Sequence, residues 1–134
     1  MKVRWTDSSL RIRITPSELG ELASGLPVGR VLTFPGGSSW RIVVQPGAPA
    51  TELRSAAGAV EFALTSADLG RLQDPDTEGV YFATGGPAGV RYFIEKDFPC
   101  AHPHSEQACE PDTERFAPTA AYLARKRELI LEAV

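Results

Sequence analysis

Both cysteines and both histidines of the 134-residue chain fall in one stretch of ten residues, Cys100-Ala101-His102-Pro103-His104-Ser105-Glu106-Gln107-Ala108-Cys109. Thiolate and neutral imidazole are the donors that borderline-soft metals prefer, and Cys100, His102, His104 and Cys109 together would close a tetrahedral site for zinc or another transition metal. Pro103 biases His102 toward extended backbone, where residues two apart point the same way, so the two imidazoles would share a side. The residues between His104 and Cys109 leave room for a turn that returns the second thiolate. The spacing matches no standard zinc finger, however, and donors packed so closely leave few neighbours to orient them. The same residues fit an ordinary loop with one buried cysteine. They also fit a Cys100–Cys109 disulfide, which requires Cα atoms within about 7 Å and is disfavoured in a reducing compartment.

Immediately upstream runs Glu95-Lys96-Asp97, followed by Phe98-Pro99. At a strand end, alternate residues share a side, so Glu95 and Asp97 would face one way and Lys96 the other. Two carboxylates on one side are candidates for acid and base or for metal ligation, and Lys96 for meeting an anion. The structural alternative is a charged strand end that tethers the following loop. Arg41 and Arg91 would make an anion site if they met, and otherwise read as solvated strand residues. Gly85-Gly86-Pro87-Ala88-Gly89 is no phosphate loop, because it joins two strands and no helix N-terminus follows it. Neither a Ser/His/Asp motif nor a nucleophile elbow is present.

The elements that must position these groups are written twice. Shifting the chain by fifty residues aligns Leu10–Val44 with Val60–Ile94 without a gap, with seven identities in 35 positions. Leu10-Arg11-Ile12-Arg13-Ile14 and Val60-Glu61-Phe62-Ala63-Leu64 read as strands with one buried face. Each leads into a helix start: Thr15-Pro16-Ser17-Glu18 places a cap, a Pro at the first helical position and an acid at the third, and Thr65-Ser66-Ala67-Asp68 repeats the cap and the acid. Two strands follow in each copy, over 30–34 and 40–45 and then 80–84 and 90–95. Residues 2–5 and 52–54 add a first strand to each. The unit is ββαββ, and two units related by a pseudo-twofold can cover each other's apolar faces.

The expected fold is therefore α+β and mostly antiparallel β, as a barrel or two facing sheets. A single domain over 1–118 would contain the repeats 1–46 and 51–97 and an ordered tail. A C-terminal helix would span 119–134, with Tyr122, Leu123, Lys126, Leu129, Ile130 and Val134 on its apolar stripe. Trp5, Trp40, Tyr81, Phe82, Tyr92 and Phe93 read as core and hairpin packing.

Composition narrows the function classes. With 43% hydrophobic and 23% charged residues and a net charge of -3, the chain reads as an ordinary globular protein rather than a nucleic-acid binder. The longest uninterrupted apolar stretch falls far short of the roughly 20 residues of a membrane span, and Met1–Trp5 lacks the apolar core of a signal peptide. Cytoplasmic residence is the expectation.

Ser9–Thr15 with Ser17-Glu18, and Ile94-Glu95-Lys96-Asp97-Phe98-Pro99-Cys100, resemble a family of small bacterial proteins of unknown function marked by an EKDF-x-C run. Asp112–Pro118 corresponds to that family's late segment. The resemblance implies that Glu95, Lys96, Asp97 and Cys100 belong together, with His102, His104, Cys109 and the final helix particular to this chain. It transfers no activity. The leading expectation is a small non-catalytic accessory or binding protein that holds a metal in the Cys/His segment. The alternatives are an enzyme or small-ligand barrel using Glu95, Lys96, Asp97 and Cys100, and an interaction module whose last helix meets a partner protein or a second copy.

Overall fold

A computed structural model describes residues 1–85, 89–99 and 114–132, with side chains as far as Glu128 in the last stretch. The chain runs β1 (Lys2–Thr6), β2 (Ser9–Ile14), α1 (Pro16–Ala23), β3 (Val28–Thr33) and β4 (Ser39–Pro46), then β5 (Glu52–Ala56), β6 (Ala59–Leu64), α2 (Ser66–Gln73), β7 (Gly79–Ala83) and β8 (Arg91–Lys96), and ends in α3 (Ala120–Glu132). Strands and helices fall where periodicity and caps place them. Thr15 accepts the backbone N–H of Glu18, and the Glu18 carboxylate accepts that of Thr15, closing a capping box. Thr65 caps α2 through the N–H of Asp68.

The eight strands form two four-stranded sheets, ordered β1-β2-β8-β7 and β3-β4-β6-β5. Outer pairs are antiparallel, while the central pairs β2·β8 and β4·β6 are parallel. The central registers correspond: Ser9 pairs with Arg91 and Ile14 with Lys96, as Ala59 pairs with Arg41 and Leu64 with Pro46. The spacing of fifty thus governs both central ladders, but it fails at the outer hairpins. Arg41 faces Val31, whereas Arg91 faces Ala83 rather than Tyr81. The connection after α2 is longer and the hairpin beyond Ala83 is correspondingly shorter. Gly29 and Gly79, matched in sequence, therefore occupy different register positions.

The sheets meet through one core. Ile12, Ile14 and Ile94 of the first and Ile42, Val44, Phe62 and Leu64 of the second are fully buried. Phe62 crosses the interface, with its ring 5.0 Å from Tyr92 and 6.0 Å from Phe82. α1 and α2 touch each other. Both follow the C-terminal ends of β2 and β6, so they close one end of the sandwich through Leu22 and Leu72. The strand-connecting turns gather at the other end.

Three expectations need correction. Trp5 and Tyr81 are 65% and 52% exposed rather than packed inside. Leu123 is exposed, so among the described residues of the helix stripe it is Tyr122 that buries. Residues 1–46 and 51–97 do not each supply one layer, since each sheet takes one hairpin from either half. Arg41 and Arg91 are exposed strand residues on different sheets, in line with the solvated reading.

Candidate functional site

Glu95 and Lys96 end β8 at the helical end of the sandwich, beside Arg13 and Ile14 of β2, and Asp97 follows them. All three are buried, at 8%, 5% and 3% exposure. Alternation separates them as expected. Glu95 points outward, its Oε1 2.7 Å from Arg11 Nε in an ion pair without hydrogen-bond alignment. Asp97 Oδ2 lies 3.0 Å from Lys2 Nζ. Lys96 Nζ donates to the Asp74 carbonyl at 2.6 Å and sits 5.6 Å above the Phe116 ring. Burial carries the Lys96 ammonium below its ordinary pKa, against a smaller raising effect of Asp74 and Asp76. Gly79 faces Glu95 across β7·β8, where any Cβ would stand 2.7 Å from the Ile94 oxygen and 2.9 Å from Glu95 Cγ. The missing side chain lets the carboxylate lie across the strand.

The same run anchors the tail. The Asp97 carbonyl accepts the Phe116 N–H at 2.9 Å, and Phe98 stacks on Tyr122 with ring centroids 4.0 Å apart. α3 is fastened further by Lys126 to Glu78 at 3.0 Å and by Arg125 to the Asp76 carbonyl. Glu114 accepts from both the N–H and the hydroxyl of Ser17 at the start of α1. Neither described cavity is lined by Glu95, Lys96 or Asp97. Cys100, His102, His104 and Cys109 lie outside the described residues, and among the described residues no cluster of His, Cys, Asp and Glu has metal-site geometry.

The open end holds what sequence reasoning missed. A groove of about 540 Å3 lies between the sheets there, walled by Trp5, Leu32, Phe34, Trp40, Leu53 and Val60, with Leu10 at its floor. Trp5 and Trp40 bridge the two sheets with ring centroids 5.7 Å apart. The polar lining is Arg54 and Ser55. Arg54 is already engaged by Glu52, which strengthens its hold on its proton, and by Glu61 at 3.7 Å. The available signal was positional: Trp5 and Trp40 each stand beside a turn, where an inward-facing side chain lies at the mouth of a sandwich rather than in its middle.

These features define an α+β protein of two facing sheets, closed by helices at one end and open to an apolar groove at the other. The chain belongs to a family of unknown function, DUF7009, whose model matches residues 1–115. No curated protein and no solved structure matches it. The match ends before α3, and no helix among the described residues is long and apolar enough to cross a membrane.

Proposed function

We propose that the protein is a small non-catalytic binding protein that takes a flat, apolar small molecule in the groove at the open end of the sandwich. The observation that carries this is the groove itself. Its volume of about 540 Å3 lies in the range of small-molecule sites, and its walls are aromatic and aliphatic with few polar groups. Arg54 is already neutralised by Glu52 and Glu61, which favours an uncharged ligand. Both tryptophans of the chain line the groove, so intrinsic fluorescence reports on it directly. Titration with naphthalene or indane should give a saturable change in that fluorescence, weakened by Val60→Trp, which fills the space. A linear response, or an unchanged affinity in the filled variant, would refute the reading.

Metal binding through Cys100, His102, His104 and Cys109 is a second proposal, supported by the donor chemistry of the segment. Elemental analysis of protein made in metal-replete medium should then find stoichiometric zinc or a related metal, lost in Cys100→Ala/Cys109→Ala. An enzymatic role for Glu95, Lys96, Asp97 and Cys100 has less support, since the two carboxylates are each occupied by a cation and the run packs against its own tail. The matching central registers support an origin by duplication of a ββαββ unit, with the out-of-step outer hairpins as later drift. Cytoplasmic residence belongs with these proposals.

A further inference from the structure

Lys2 and Arg4 of β1 stand directly opposite Arg13 and Arg11 of β2. Val3 and Ile12 between them turn toward the core, so all four cations project from the outward face of the sheet. Opposed side chains in an antiparallel pair lie about 5 Å apart at Cβ, and like charges so placed repel. Two of the four are compensated. Arg11 is held by Glu95 and lies 5.6 Å above the Phe93 ring, and Lys2 is held by Asp97. Because Glu95 and Asp97 are themselves buried, they fix these two cations in place. Arg4 and Arg13 have no carboxylate within ion-pair distance among the described residues, which leaves a surplus of two positive charges on a chain of net charge -3. Between the four lies a cleft of about 190 Å3, lined by Lys2, Val3, Arg4, Arg11 and Arg13.

We infer that this cleft is a binding site for a dianionic phosphoryl group, such as that of a small phosphate monoester. The surplus charge matches the dianion. Guanidinium forks from adjacent strands match its tetrahedral oxygens, each donating paired N–H groups. The cleft holds a headgroup and little more, and it opens on the face away from the apolar groove, so this inference is independent of the function proposed above.

The full chain should bind phenyl phosphate with one-to-one stoichiometry by calorimetry, and the Nε–H resonances of Arg4 and Arg13 should shift with saturation. Arg4→Gln/Arg13→Gln should weaken binding by at least about tenfold, since each charge-assisted pair lost is worth more than that factor. Among the described residues these side chains have no carboxylate partner, so the variant should keep its melting temperature. Arg41→Gln, on the other sheet, should bind as the parent does. Phenol should not bind there. Equal affinity in the double variant, equal weakening by Arg41→Gln, or displacement by chloride at matched ionic strength would each overturn the site, the last by reducing it to unspecific attraction.

Discussion

At the scale of single residues, two glycines make opposite predictions. Gly79 has no room for a methyl group against Ile94 and Glu95, so Gly79→Ala should cost about 1–3 kcal/mol by urea unfolding. Gly20, in the middle of α1, has no heavy atom within 4 Å of a built Cβ. Gly20→Ala should stabilise by about 0.5–1 kcal/mol through the entropy of the unfolded chain. Titratable groups add pH dependence. Burial works to raise the Glu18 carboxyl, but the Met1 amino group, the Thr15 N–H and Arg30 outweigh it, so its pKa lies below 4.5. Its contribution to stability is present above that value and lost as pH falls through the lowered one, and Glu18→Gln should flatten this part of the acid unfolding curve. Lys96 gives a slope of the same sign at higher pH. With its native pKa lowered, the unfolded chain binds the extra proton between that value and 10.5, so this residue makes stability rise with pH across that window. Lys96→Met should abolish the rise. Tyr81 opposes it from pH 10 upward, since the partial burial of this half-exposed ring and then the charges of Glu95 and Glu78 push its phenol to about 12; Tyr81→Phe keeps the two apart in unfolding measurements. That Lys96 turns to the side opposite Glu95 and Asp97 was legible from strand alternation. Their partners Arg11 and Lys2 were not, because they approach through a parallel ladder and a hairpin that bring distant segments together.

Among elements, the helix starts were the most legible, because a cap is chemistry confined to four consecutive residues. Thr15→Ala should cost about 1 kcal/mol, read from thermal unfolding. The strands were legible from alternation, but their pairing was not: the repeated spacing suggested one layer from each unit, whereas each sheet takes a hairpin from both. The register of β7 on β8 was not, since a lengthened connection on one side and a shortened hairpin on the other leave the matched glycines in place on paper while moving them along the ladder. The exposure of Leu123 was hidden for a related reason: a helix stripe of this kind shows an apolar side without showing which part of it a sheet will cover. Among the described residues, α3 docks through the Phe98–Tyr122 stack, the Lys126–Glu78 pair and Arg125 on the Asp76 carbonyl, none of which enters the main core. Tyr122→Ala should therefore raise hydrogen exchange over residues 120–128 while the amides of β2 and β8 keep their protection. Simultaneous loss of protection in both would show that the helix is part of the central cooperative unit.

For the whole molecule, the decisive contact is the one that crosses between the sheets. Phe62→Ala should cost about 3–5 kcal/mol, because the ring touches aromatic residues of the opposite sheet and its removal leaves a cavity on both sides. The groove at the open end follows from the same architecture. Where the helices stop, two inward faces continue without a cover, and the residues there must be apolar to continue the core yet remain in reach of solvent. Sequence patterns mark such residues as inward-facing and carry no sign that the layer above them is missing.

The route of the chain has a final consequence. Each sheet takes one hairpin from residues before the 47–50 connection and one from residues after it, so neither segment alone possesses a complete layer. A backbone nick in that connection should produce two fragments that are unstructured apart and recover the native spectrum when mixed, at a rate that depends on concentration. The protein would then serve as its own complementation pair, with assembly standing in for folding.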